Sequence, residues 1–157
     1  MTAEIKVRLD NIKATFKDMA QLASQGVLVG IAATDAKRKD GKITNAQIGY
    51  INEFGSPRQG IPPRPFLNPA LQEAAPELAK LMQPDFENLE STKHLDKAGL
   101  YAVTQVRRHI TEQIGMAPLS PLTIKNRQRK RKSGQAGTKA LYDTGNLLQS
   151  INYHKEE

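Results

Sequence analysis

A chain of 157 residues with 38% apolar and only 5% aromatic side chains can build one modest hydrophobic core, so part of it is expected to draw stability from partners. Its 23 Lys and Arg against 16 Asp and Glu leave a net charge of +7, which favours nucleic acid, a membrane surface or an acidic protein face as partner. The absence of cysteine excludes disulfides, thiolate metal sites and cysteine nucleophiles; the longest apolar run, VLVGIAA, falls far short of the ~20 residues of a membrane span; and MTAEIKVRLDNIK lacks the apolar stretch of a secretory signal, so the sequence reads as that of a soluble protein made inside the cell.

Ile5, Leu9, Ile12, Phe16, Met19, Leu22 and Ala23 recur at steps of three and four, which predicts an amphipathic helix over 5–24 closed by Gly26. Val27 to Ala33 reads as a strand buried on both faces at its centre. DAKRKDGK follows as a charged tip, with residues 36–42 expected to be mobile. Thr44 can cap a helix from Asn45 to about Phe54 whose apolar side holds Ile48 and Ile51, with Tyr50 and Phe54 beside them. Gly55, Ser56 and Pro57 stop it. RQGIPPRPFLNP, with prolines at 62, 63, 65 and 69, must be an extended, largely ladder-free arm that packs on something through Ile61, Phe66 and Leu67.

Pro69 suits a first helical turn with Asn68 as cap. That helix would carry Leu71, Leu78, Leu81 and Met82, be kinked or interrupted at Pro76, and end at Pro84. The longest periodic segment, about 86–114, places Leu95, Ala98, Ala102, Val106 and Ile110 on one face and is terminated by Gly115. Ser120-Pro121 opens a short helix to about Arg129, and the stretch 125–139 is expected to be mobile. Asp143 or Thr144 can cap a short helix bearing Leu147 and Leu148, and SINYHK closes the chain as a strand with Ile151 and Tyr153 on one face. The predicted class is α+β: a small antiparallel sheet packed by helices, one of them long, with extended proline-rich and basic loops, all in one domain over 1–157.

Catalytic chemistry finds little footing. His94, His109 and His154 lie at no metal-ligand spacing, and His109 on a helix reads as a surface or packing residue. Asp143-Thr144-Gly145 matches the tripeptide of aspartic proteases, but it precedes a helical pattern and reads as a capping turn. No phosphate-binding glycine loop is present. The expectation is a non-enzyme without metal or cofactor.

Three segments stand out together: INEFGSPRQGIPPRPFLNPAL (51–71), PLSPLTIKNRQRKRK (118–132) and LYDTGNLLQSINY (141–153). The set resembles the tail-completion and virion-morphogenesis proteins of long-tailed bacteriophages. Those proteins typically show an E-F-G or H-x-F-G turn before P-x-R-P-F, and often P-L-x-x-x-T before a basic run and D-T-G-x-L-x-x-S-I near a strand. The matching residues are Glu53, Phe54 and Gly55; Pro63, Arg64, Pro65 and Phe66; Pro118, Leu119 and Thr123; and Asp143, Thr144, Gly145, Leu147, Ser150 and Ile151.

The resemblance implies a structural virion protein of the phage neck or tail, assembled in the host cytoplasm. It would complete the tail tube and join it to the head connector by closing into a homo-oligomeric ring, about six copies or about twelve beside the connector. Its partners would be connector or adaptor, tail-terminator or tail-tube proteins, with passing contact to DNA and no membrane. In that reading Pro63, Arg64, Pro65, Phe66 and Leu67 form a subunit interface, with Phe66 as apolar anchor and Arg64 as charge contact. Lys125, Arg127, Arg129, Lys130, Arg131 and Lys132 form a basic partner-binding loop. Glu53, Gly55, Asp143, Thr144 and Gly145 are turn and cap residues. The alternative is a basic nucleic-acid-binding protein using 125–132, although the aromatics expected among the cations of a single-strand binder are missing there.

Overall fold

A computed structural model describes residues 25–32, 43–83, 93–130, 138–142 and 145–156, together with the helical Lys17. The elements in chain order are β1 (Gly26–Ile31), α1 (Asn45–Phe54), a 3-10 turn (Pro57–Gln59), α2 (Leu67–Leu81), α3 (Lys93–Glu112), α4 (Pro121–Lys130), α5 (Asn146–Ser150) and β2 (Ile151–Glu156). The class is α+β. The rest of the helix expected over 5–24, the tip at 36–42 and the start of the long helix at 86–92 lie outside the described residues.

β1 and β2 pair antiparallel, with Ile31 opposite Ile151 and Val29 opposite Tyr153. The pairing of Ile151–Tyr153 with the first strand agrees with its alternating pattern. Burial of β1 on both faces does not hold: the sheet has two strands, helices cover one side, and Leu28 is 56% exposed on the other.

α3 is the spine. Leu95, Ala98, Ala102, Val106 and Ile110 are all buried as their spacing requires, and Val106 and Ile110 are 0% exposed. Each large apolar side chain so buried contributes about 1.5–3 kcal/mol. The helix stops at Glu112, before Gly115. Gln113 takes the left-handed position at φ +60°, and the Ile114 amide donates to the His109 carbonyl at 3.1 Å, closing a Schellman turn. Gln113 tolerates that backbone because its side chain is fixed from outside: Nε2 donates to the Ala140 carbonyl at 3.0 Å and Oε1 accepts from the Ala140 amide at 2.6 Å.

α2 departs from expectation twice. It runs unbroken through Pro76, whose missing N–H strips a donor only from the Gln72 carbonyl; both residues are exposed, so solvent can serve that carbonyl. Its deepest line is Ala70 and Ala74 rather than the leucines, and these small residues let α2 lie close along α3. The helix ends at Leu81, with Met82 at the C-cap donating to the Leu78 carbonyl; Pro84 lies outside the described residues.

The core gathers Phe66, Ala70, Val103, Val106, Ile110 and Ile151 where α2, α3 and β2 meet. Tyr153 packs onto Gly99, where any Cβ would clash with its ring. Its hydroxyl donates to Asp96 at 3.1 Å; burial, and then that bond, push the phenol above its ordinary pKa.

Candidate functional site

The first of the three segments is tied to each of the others, through Arg64 to Pro118 and through Phe66, which shares the core cluster with Ile151, and Glu53 organises the first segment itself. The residue falls in the last turn of α1, buried at 7% exposure. One carboxylate oxygen accepts the amides of Phe66 and Leu67 at 2.8 and 3.0 Å, and the other accepts that of Asn68 at 2.9 Å. These are the first free N–H groups of α2, and Pro69, the next residue, has none. A carboxylate at the positive end of the helix dipole thus satisfies every donor available there. This explains why α2 starts at Leu67, ahead of the expected Asn68 cap: the cap comes from another helix. Gly55 turns the chain out of α1 at φ +77°, a region an L side chain rarely adopts, and a Cβ there would stand 2.9 Å from the Ile61 carbonyl oxygen.

The proline arm folds onto its own domain. Ser56 and Ile61 exchange both backbone bonds, closing a small loop around the 3-10 turn, and the Arg64 amide donates to the Asn52 carbonyl at 2.6 Å. Arg64 is 8% exposed; its guanidinium donates to the carbonyls of Ala117 and Pro118 at 2.9 and 3.0 Å, which pins the P-L-x-x-x-T segment to the arm. Phe66 is 2% exposed and belongs to the core cluster with Ile151 of the D-T-G-x-L-x-x-S-I segment. The interface assigned to Arg64 and Phe66 is therefore corrected: both are committed within the chain. Of the other arm residues, Leu67 and Pro65 are half-buried and Pro63 is exposed.

The cap expected from Asp143 or Thr144 is also revised. The N-cap position of α5 is Gly145, at φ +81°, which carries no side chain; Asp143 and Thr144 lie outside the described residues. The Thr44 cap of α1 does form, as a capping box with Gln47. The inner face of α1 differs from expectation. Gly49 and Glu53 are its buried residues, whereas Tyr50 and Phe54 are 67% and 58% exposed, their rings tilted against each other at 4.9 Å.

The expected mobile stretch at 125–139 is helical in its first part. Lys125, Arg127, Arg129 and Lys130 lie in α4, and Arg131 and Lys132 lie outside the described residues. Ser120 Oγ accepts the Thr123 amide at the helix start, and Arg127 donates to the Lys139 carbonyl at 2.9 Å. Beyond these ties α4 lies against no other helix or strand by more than a marginal contact among the described elements. Lys125 and Arg129 are exposed, with no carboxylate beside them among the described residues.

Besides Glu53 and Arg64, one further ionisable side chain is buried among the described residues, and it faces an exposed carboxylate. His109, 4% exposed, meets Glu73 through Nε2 at 2.8 Å, and the Arg108 guanidinium stands 3.6 Å from the other Glu73 oxygen. The hydrogen bond with His109, and then the charge of Arg108, hold the Glu73 carboxyl below its ordinary pKa despite some desolvation. His109 Nδ1 is buried without a hydrogen-bond partner, and no group of three or more His, Asp or Glu able to hold a metal is found among the described residues. A shallow groove between β1, α2 and α3, bounded by Val27, Val29, Leu71, Leu78 and Met82, is apolar and offers no acid, base or nucleophile. No described helix is long and apolar enough to cross a membrane. Comparison with known proteins returns no match, whether among family models, curated proteins or solved structures.

Proposed function

We propose that the protein is a structural subunit of a tailed-phage particle, a neck or tail-completion component that joins the tail tube to the head connector by closing into a ring of about six copies. One observation carries this reading. The first motif segment is tied to each of the other two: Arg64 donates to the Pro118 carbonyl, and Phe66 shares a core cluster with Ile151. Those ties support reading the motif set as parts of one fold, and the function is carried over from the resembled family by analogy. The partners would be a connector or adaptor on one side and tail-terminator or tail-tube proteins on the other. With Arg64 and Phe66 turned inward, contact with neighbours passes to the exposed faces of α1 and α4. Inactivating the gene in the genome that carries it is expected to give filled heads and separate tails. Infectious particles of normal morphology overturn the reading.

The second reading, a nucleic-acid-binding protein, is favoured by the exposed Lys125 and Arg129 of α4. It requires duplex binding that falls steeply with salt and that is lost when these cations are removed.

A further inference from the structure

Two lines of side chains on the described chain are exposed, and no other helix or strand packs over them. Along α1 and the residue before its cap, Ile43, Gln47, Tyr50 and Phe54 recur at helical spacing and all face outward, 46%, 67% and 58% exposed at the three large apolar positions. No charged residue stands in that line. Along α4, Leu122, Lys125, Asn126 and Arg129 form a second outward line, with Leu122 68% exposed. A ten-residue helix is shorter than the ~12–15 residues at which isolated helices become even marginally stable. Because α4 barely touches the rest of the described fold, its outward face is where further packing can be gained.

The two lines complement each other. At 1.5 Å per residue, Leu122 to Arg129 and Gln47 to Phe54 each span about 10 Å, so one fits along the other. Lys and Arg are drawn to aromatic faces, and α1 offers two rings with no cation to repel them. Duplex DNA would use the cations of α4 and leave Leu122 and the α1 line bare; a second copy of the chain uses all of them. A closed ring of identical subunits needs two different surfaces that fit. We infer that α4 of one copy docks along the outward face of α1 of the next, Leu122 against the Tyr50–Phe54 pair and Lys125 and Arg129 over the rings; the inference rests on the ring assembly proposed above.

The test uses two full-length variants, each disabling one face: Tyr50→Ser with Phe54→Ser, and Leu122→Ser with Arg129→Ser. Native mass spectrometry and sedimentation are followed under conditions in which the parent chain self-associates. Each variant alone is expected to be a folded monomer with self-association weakened at least ~100-fold, whereas an equimolar mixture gives a one-to-one dimer through the face each retains. The conservative changes Tyr50→Phe and Arg129→Lys are expected to keep the parent's assembly, separating loss of contact chemistry from misfolding. Undiminished assembly of either double variant, or a mixture that stays monomeric, overturns the inference and leaves the ring reading intact. A parent chain that stays monomeric up to ~1 mM, the limit of useful affinity, overturns both.

Discussion

The Glu53–Arg64–Phe66 junction and helix α4 are neighbours, since the Arg64 guanidinium grips the two carbonyls that precede the Ser120 cap of α4. They are built on opposite terms. At the junction the charged groups are buried, and Glu53 and the Arg64 guanidinium are paired with backbone. On α4, four residues away from the grip, leucine and cations face solvent. A conspicuous motif residue therefore need not be a contact residue. Here Glu53, Arg64 and Phe66 fix the geometry of the segments they belong to, while Phe54, a motif residue beside them, stays exposed.

That contrast can be broken most severely from inside. Val106→Asp would place an unpaired carboxylate at a position with 0% exposure, at a cost of about 5 kcal/mol, comparable to the total stability of many domains. Insoluble or unfolded protein in a urea titration is the expected result; unchanged stability would mean the α3 face is not the core. Glu53→Gln comes next. It keeps the size but replaces one acceptor oxygen with an N–H2 group facing backbone donors, for a loss of about 3 kcal/mol, read as a lowered thermal midpoint.

Acid sharpens the comparison on the third side of the molecule. Because the folded state holds Glu73 below the ordinary value of 4.5, the unfolded chain takes up the proton first as pH falls. The contribution of Glu73 is therefore complete above that value and is lost as pH drops through the lower, folded one. Glu73→Gln is expected to flatten that acid limb in a series of denaturation curves. The smallest effect belongs to α4: Leu122→Ser is expected to leave the stability of the isolated chain within about 0.5 kcal/mol of the parent, since the residue is mostly exposed. A large loss would show that α4 is part of the core after all.

Features governed by spacing along the chain were readable: the Thr44 cap, the α3 stripe and the β2 strand all follow from local pattern. What the sequence concealed was direction. Prolines set the φ angles of the arm but do not say which surface it lies on, and Arg64 read as a charge contact reaching from the arm to a partner, whereas it is buried at a cost. The structure offsets that cost with the backbone carbonyls of Ala117 and Pro118, more than fifty residues ahead, where no periodicity reaches. The orientation of α1 was misread for a related reason. Its aromatics drew Tyr50 and Phe54 inward, whereas the close approach at Gly49, where a Cβ would meet Ile31 at 2.9 Å, and the long-range duty of Glu53 decide which side faces in. A glycine and a glutamate on one helical face were the signal available for it.

The cap that Glu53 lends to α2 also bears on how the molecule comes apart. The amides that open α2 have no acceptor of their own, so its first turn is complete only while α1 is folded beside it. Unwinding the last turn of α1 strands those donors, and melting the start of α2 strands a buried carboxylate. The two helices therefore open together as one cooperative unit. In native-state hydrogen exchange, the amides of Phe66, Leu67 and Asn68 should share the opening free energy of the α1 C-terminal turn, although thirteen to fifteen residues of chain separate them from Glu53.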